Sequence, residues 1–384
     1  MRLGIDTSTL GGGGSFTHLR EVLHAVEPER HGFSRVSVWG SKKVMALLPS
    51  GKPWLVAVHE PMLDGPLPQR VAWQCFRFEK LVRDAADLLF IPAGSYQGSF
   101  HPYVAMSRNA LPFDTAERRR YGVSKNRLRL FLLHYAQRNT FRRADGVIFL
   151  TDQGRRLVEP QVRMRGDVVT IPHGVSEQFR KEPRPQQPAG AYSEARPFRF
   201  TYVSTIDVYK FQWTVAEAVA RLRGEGLPVA VDFVGPAYGP SLRMLEATLR
   251  RVGESDAIRY LGPAAPADLA GVYHGADAFV FASSCENMPN VLLEAMAAGL
   301  PIACSSRGPM PQFIGDATVY FDPEDAASIA AALRELFVDD GLRRRIAAGA
   351  YERARAWSWE RCARETFDFL AAVGRKHQPR ERAA

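Results

Sequence analysis

Two glutamates and one lysine are the residues of this chain best placed to do chemistry. Glu286 and Glu294 stand eight positions apart in Ala278-Phe-Val-Phe-Ala-Ser-Ser-Cys-Glu-Asn-Met-Pro-Asn-Val-Leu-Leu-Glu-Ala-Met-Ala-Ala-Gly-Leu-Pro-Ile. An ionised carboxylate accepts hydrogen bonds in pairs, so the two can hold hydroxyls, one on a sugar and one on a ribose. Lys210 lies in Tyr202-Val-Ser-Thr-Ile-Asp-Val-Tyr-Lys-Phe-Gln-Trp-Thr, just ahead of a predicted helix. Its ammonium and the positive end of that helix would point at one anion, and a diphosphate fits. A third segment, Leu10-Gly-Gly-Gly-Gly-Ser-Phe-Thr-His-Leu, lets backbone approach a ligand closely. It has neither the spacing of a dinucleotide fingerprint nor the lysine of a Walker loop, so alone it is equally a plain flexible turn.

These residues need elements to carry them. Short apolar runs alternate with amphipathic stretches, the pattern of parallel sheets covered by helices on both faces. In the second half the spacing predicts strands at Phe198–Val203, Val229–Gly235, Ile258–Gly262, Ala278–Ser283 and Pro301–Ser305. Helices are expected between them at Trp213–Arg223, Pro240–Val252, Ala267–His274 and Pro289–Ala298. The first half is less regular, with strands expected at Arg2–Asp6, Arg35–Trp39, Trp54–His59, Leu88–Ile91, Val104–Ser107 and Val147–Thr151. Glu286 then falls on a loop at the carboxyl end of a parallel strand, where such sheets bind ligands. The backbone of Asn287, Met288, Pro289, Asn290 and Val291 opens the following helix, whose free N–H groups can receive phosphate oxygens.

The glutamate pair, followed by Ala-Met-Ala-Ala-Gly-Leu-Pro-Ile, resembles the signature of family 4 of the retaining GT-B-fold glycosyltransferases (glycosyl transferases group 1). The resemblance implies two Rossmann-like α/β domains facing each other across a cleft. It implies that Glu286 contacts the donor sugar, that Glu294 contacts the nucleotide ribose, and that Lys210 contacts the diphosphate. The family's arginine in the Lys210 loop is replaced by Thr205, which removes one positive charge from the leaving group. Gly12 and Gly13 occupy the place of a glycine-rich loop facing the donor phosphates, and Gly235 a strand end near the base. Asp167-Val-Val-Thr-Ile-Pro-His-Gly resembles the close of the first domain, with His173 a weaker acceptor-side candidate. Where many members carry a histidine this chain reads Arg108-Asn109; Asn109 can bond a hydroxyl but cannot shuttle a proton. Donor chemistry of this kind uses a nucleotide-diphosphate sugar as substrate, with no metal or other cofactor, and no Asp-x-Asp triplet occurs.

The 384 residues are 46% hydrophobic, long enough for two cores. The domains expected are 1–180 (acceptor), a linker or exposed loop at 181–197, 198–356 (donor), a helix at 357–375 packing back on the first domain, and a disordered tail at 376–384. A net charge of +9 favours phosphate-bearing partners. The stretch from Arg118 to Arg143 is basic with interleaved leucines, which suits either a solvated helix face or peripheral contact with an anionic membrane. Cys75, Cys285, Cys304 and Cys362 lack metal-site or disulfide spacing, and no apolar run reaches a membrane span. A cytoplasmic protein is expected, working at the inner face of the membrane if its acceptor is lipid-linked. The partners expected are a nucleotide sugar and a glycan or lipid-linked acceptor, with no nucleic acid. A nucleotide-sugar epimerase or hydrolase of the same fold is the nearest alternative, and a non-catalytic basic nucleic-acid or membrane-binding protein the alternative of another class.

Overall fold

The computed structural model describes residues 1–10, 13–253 and 256–378, which form two compact units. The first comprises Met1–Arg118, Gly122–Gly174 and the chain from Ser358 onward; the second comprises Val175–Trp357 with Arg119–Tyr121. Both are Rossmann-like.

The first unit carries seven strands: β1 (Arg2–Asp6), β2 (Arg35–Gly40), β3 (Leu55–His59), β4 (Leu88–Ile91), β5 (Tyr103–Ser107), β6 (Gly146–Phe149) and β7 (Asp167–Thr170). All pair in parallel in the order β3-β2-β1-β4-β5-β6-β7. Strands such as Leu88-Leu-Phe-Ile are buried at every position, as a parallel sheet covered on both faces requires. Strand β6 ends two residues earlier than expected. Thr151 leaves the ladder because its hydroxyl accepts from Gly154 N at 2.8 Å, capping the next helix.

The second unit carries β8 (Phe198–Val203), β9 (Val229–Val234), β10 (Ile258–Tyr260), β11 (Ala278–Phe281), β12 (Ile302–Ser305) and β13 (Val319–Phe321). These too are all parallel, in the order β10-β9-β8-β11-β12-β13. Strand order reverses between β1 and β4 in the first sheet and between β8 and β11 in the second. Connections leave such a pair in opposite directions, so a crevice opens at the carboxyl ends of the two strands.

The helix Trp359–His377 begins at a Ser358 cap, whose hydroxyl accepts from Arg361 N at 3.2 Å, and packs in the first unit beside the helix Gly14–Ala25. It runs past the expected tail boundary: Lys376 and His377 are helical, and Lys376 pairs with Asp167. Residues 379–384 lie outside the described residues. The polar stretch 181–197 has no strand or α-helix of its own but is tied to the second unit. Arg184 Nη2 donates to Asp277 Oδ1 at 2.8 Å, and Arg343 reaches the Gln186 Oε1 atom at 3.2 Å and the Gln187 carbonyl.

Arg343 is fully buried, stacked over the Phe198 ring at 5.1 Å, and also donates to the Leu336 and Phe337 carbonyls at the end of a helix. Arg343→Met would leave those carbonyls without a donor. It is expected to destabilise the second unit by about 3 kcal/mol, read as a lower urea midpoint. A loss below about 1 kcal/mol would mean that the stretch holds without this anchor.

Candidate functional site

The second sheet brings the lysine and the first glutamate together at its switch point. Lys210 lies on the loop after β8 and Glu286 on the loop after β11, and their side chains form a direct ion pair. Only 8% of the lysine and 13% of the glutamate side chain reach solvent. The ammonium also lies over the rings of Phe281, at 4.9 Å, and Tyr209, at 5.0 Å. The Tyr202 hydroxyl donates to the Lys210 carbonyl at 2.6 Å, and Ser284 N donates to the Tyr209 carbonyl at 2.9 Å, so the two loops are stitched to each other. Burial, then the Glu286 carboxylate, hold the Tyr209 phenol well above its usual range, leaving it neutral.

The backbone around Lys210 is unusual. Phe211, at the start of the helix Gln212–Gly224, has φ 49° and ψ 34°, the one non-glycine residue with positive φ among those described. Such a conformation persists only where its surroundings enforce it, and it frequently marks a functional loop. Gln212 Nε2 donates to the Thr205 carbonyl at 3.0 Å, closing the turn beneath the lysine. Thr205 itself is exposed. Gly235 has φ 145°, and a Cβ there would lie 2.1 Å from the Ser204 carbonyl oxygen. Only glycine lets the ends of β8 and β9 close up in this way.

Beyond Glu286, Asn287 and Met288 are buried and Pro289 precedes the helix Asn290–Ala297. No side chain caps that helix. Leu292 N and Leu293 N donate to the Pro289 carbonyl at 3.1 and 3.4 Å, which leaves the amides of Asn290 and Val291 at its amino end uncapped. Amides so placed can receive an anion. Glu294, one turn on, is half-buried and receives the Tyr273 hydroxyl on Oε2 at 2.7 Å. Desolvation pushes its carboxyl up to about 7, against the opposing pull of that hydrogen bond. The positive charge that Thr205 does not supply is not supplied by two other arginines of this unit. Arg120 is bidentate on Glu324 at 2.7 and 3.0 Å, and Arg307 is held by Asp322 at 2.9 Å and by Glu324.

The first unit treats its candidates differently. Gly13 has φ 56° and opens the helix Gly14–Ala25, while Gly12 lies outside the described residues. Asn109 is half-exposed after β5, its Oδ1 accepting from Leu111 N at 3.1 Å. His173 is 2% exposed and packs with His18 (ring centroids 4.9 Å apart) and Trp359 (5.6 Å). Cys362 completes a buried group with the two histidines. Their ligand atoms are close enough together for a metal, yet the Arg108 guanidinium lies 3.5 Å from His173 Nε2 and supplies a positive charge there already. Burial and that charge hold both imidazoles neutral, and burial pushes the Cys362 thiol up to about 12.

Sequence reasoning missed Gln74, which is fully buried. Its Nε2 donates to Asp6 Oδ2, to Ser8 Oγ at 3.1 Å and to the Ser95 carbonyl at 3.2 Å, and its Oε1 accepts from Gln97 N at 2.9 Å. It ties the loop after β1 to the loop after β4, at the switch point of the first sheet. A lone glutamine in an ordinary helix gives no signal of this.

Residues 185–353 match the family described as Glycosyl transferases group 1. Over 111 residues the chain is 36% identical to O-antigen chain mannosyltransferase B of Escherichia coli, covering 29% of each protein. The chain thus matches less than a third of that relative's length. Among solved structures, a sucrose-phosphate synthase from Thermosynechococcus elongatus superposes with a TM-score of 0.73 at 18% identity, covering 97% of this chain and 99% of that one. The Anabaena protein HepE in complex with UDP and glucose gives 0.70 at 16% identity, covering 97% and 100%. At such identities the likeness is one of fold, and the fold is that of the GT-B glycosyltransferases.

Two stability measurements probe the site without a ligand. Removing one member of a buried ion pair strands the other, so Lys210→Met and Glu286→Gln are each expected to cost about 2–3 kcal/mol, and the double variant less than the sum. Additive losses would show that the two groups do not support each other. At Glu294 the folded state keeps its proton to about pH 7 while the unfolded chain loses it near the ordinary 4.5, so stability falls as pH rises through that window. Glu294→Gln is therefore expected to melt higher than the parent at pH 8, by about 1 kcal/mol, and to lose that advantage at pH 5. Equal melting temperatures at both pH values would contradict a strained carboxylate.

Proposed function

We propose, from a second unit that matches the group 1 glycosyl transferases, that the chain is a retaining, metal-independent glycosyltransferase of family 4. It moves a hexose from a nucleotide-diphosphate sugar to a glycan or lipid-linked acceptor. What carries the proposal is the Lys210–Glu286 pair beside an uncapped helix amino terminus at the switch point of the second sheet. One end of that arrangement suits a sugar and the other a diphosphate.

On this view Lys210 has three donors and Glu286 occupies one. The remaining N–H groups and the amides of the Asn290–Ala297 helix take the diphosphate oxygens. They stabilise charge that grows as the glycosidic bond to the leaving phosphate breaks, which is the main electrostatic demand of the step. Glu286 keeps a second oxygen for donor-sugar hydroxyls and acts by positioning. The acceptor oxygen attacks the face that the nucleotide leaves, and its proton passes to the departing phosphate. Glu294 keeps the oxygen not used by Tyr273 for the ribose. Because an ionised carboxylate accepts better, ribose binding releases the proton that burial holds there. Gly235 leaves backbone near the base.

The Anabaena neighbour with UDP and glucose bound supports a nucleotide-sugar donor, and the O-antigen mannosyltransferase supports a role in bacterial surface polysaccharide or lipopolysaccharide assembly. No helix among the described residues is long and apolar enough to cross a membrane. Work from the cytoplasmic side, with peripheral contact through the basic stretch Arg118–Arg143, fits that role.

Glu286→Ala and Lys210→Ala are expected to lower sugar transfer by at least ~100-fold while circular dichroism at assay temperature stays that of the parent. A thermal-shift screen of UDP, GDP, ADP and dTDP sugars supplies the donor. Transfer at normal rate by both variants would remove these residues from the reaction. Donor turnover that is indifferent to every acceptor offered would favour the epimerase or hydrolase alternative.

A further inference from the structure

The turn that presents Lys210 is held by residues from a distant part of the chain. Arg119, Arg120 and Tyr121 group with the second unit, although the chain before them, to Arg118, and after them, from Gly122, belongs to the first. They lie between the helices Thr115–Arg119 and Lys125–Arg143, the first of which Arg119 closes. The chain turns away at Gly122, whose φ of 56° is one that residues with a side chain rarely adopt.

Two contacts grip the turn at its two ends. It runs from Asp207 to Lys210 and is closed by Lys210 N, which donates to the Asp207 carbonyl at 3.0 Å. At its start the Tyr121 hydroxyl donates to Asp207 Oδ1 at 3.0 Å, the same oxygen that accepts from Val208 N at 2.8 Å. Tyr121 is buried, and its ring packs on Tyr238 with centroids 5.8 Å apart. Tyr238 N in turn donates to the Ile206 carbonyl at 2.9 Å, just ahead of the turn. Immediately past the turn, the Arg120 guanidinium lies over the Phe211 ring at 5.0 Å. Its bidentate bond to Glu324, at 2.7 and 3.0 Å, fixes it there. Three residues thus join the loops after β8, β9 and β13.

The turn is where such support has most effect. Phe211 is held at φ 49°, a conformation that costs on the order of 1–3 kcal/mol and persists only where contacts beyond the residue enforce it. Lys210, its neighbour, carries the buried ammonium of the site. A misplacement of about 1 Å in a group that must meet a reacting partner can cost on the order of 100-fold in rate. Neither contact pairs a strand: one is a hydroxyl on a loop carboxylate, the other a guanidinium whose side chain is 29% exposed. Their effect therefore falls on the turn.

We propose that Arg120 and Tyr121 are positioning residues for Lys210, clamping the Asp207–Lys210 turn at both ends and so setting where its ammonium meets the anion of a ligand. That the anion is a diphosphate rests on the transferase function proposed above; that the clamp fixes the turn does not.

The test uses the full chain with Tyr121→Phe, which removes one hydroxyl and keeps the ring, and Arg120→Leu, which keeps bulk over Phe211 while Glu324 retains Arg307. Hydrogen exchange read by mass spectrometry follows the turn without any ligand. Exchange over residues 207–211 is expected to rise at least ~10-fold in both variants, while β8 and β9 exchange as in the parent. Inorganic pyrophosphate, titrated calorimetrically, follows the ammonium. Both variants are expected to bind it at least ~5-fold more weakly than the parent, and Lys210→Met more weakly still. Unchanged exchange at the turn overturns the proposal. So does exchange that rises equally in β8 and β9, because it reports a loosened unit and not a released turn. Parent-like pyrophosphate affinity in the two variants, with affinity lost in Lys210→Met, overturns it as well and leaves the diphosphate function of Lys210 standing. Pyrophosphate binding indifferent to Lys210→Met removes that function instead, and the exchange result alone then decides the clamp.

Discussion

The buried contact between Lys210 and Glu286 is the constraint around which the second unit is arranged. Two opposite charges are held away from water on loops that leave different strands, and the desolvation of each is offset only while the other is present. That requirement explains features that otherwise look unrelated. Phe211 tolerates a left-handed backbone, Tyr202 is buried with its hydroxyl on the Lys210 carbonyl, and Gly235 has no room for a side chain against Ser204. Each fixes the position of the loop that carries the ammonium. A pair so fixed arrives at a ligand already oriented, which is where electrostatic stabilisation of a leaving group is most effective.

The same sheet plan, used twice, yields two crevices of different chemistry. At the second switch point the polar groups are ionic, few and paired. At the first they are mostly neutral and tied to one another through Gln74. Parallel sheets make the crevice and leave its lining to the loops, so what each unit binds is decided by residues that contribute little to the fold. Glu294 illustrates the tension: its carboxylate is worse for stability as it ionises, and that ionised form is the better hydroxyl acceptor.

Much of this was legible in the residues. Apolar runs bounded by glycine and proline place five of the six strands of the second half to within a few residues, β13 being the one not foreseen, and Pro289 and Gly299 mark the helix that carries Glu294. The reason is that buried parallel strands must be apolar throughout, a local property. What escaped is non-local. His173 has the sequence context of a loop residue, but the fold encloses it between the helices Gly14–Ala25 and Trp359–His377, together with His18 and Cys362. Gln74, Ser95 and Gln97 are ordinary polar residues until the loops of β1 and β4 are brought together. The leucines facing outward from the basic stretch could not be told from those facing inward until the helix had a sheet to lie on.

The central claim, that Glu286 holds the sugar and Lys210 the diphosphate, is tested most directly by calorimetric titration of the full chain with its nucleotide sugar and with the matching nucleoside diphosphate. Glu286→Gln is predicted to weaken the nucleotide sugar while leaving the diphosphate within about twofold, and Lys210→Met to weaken both by at least ~10-fold. Equal losses for both ligands in Glu286→Gln, or none in Lys210→Met, would contradict the division of labour between the two residues.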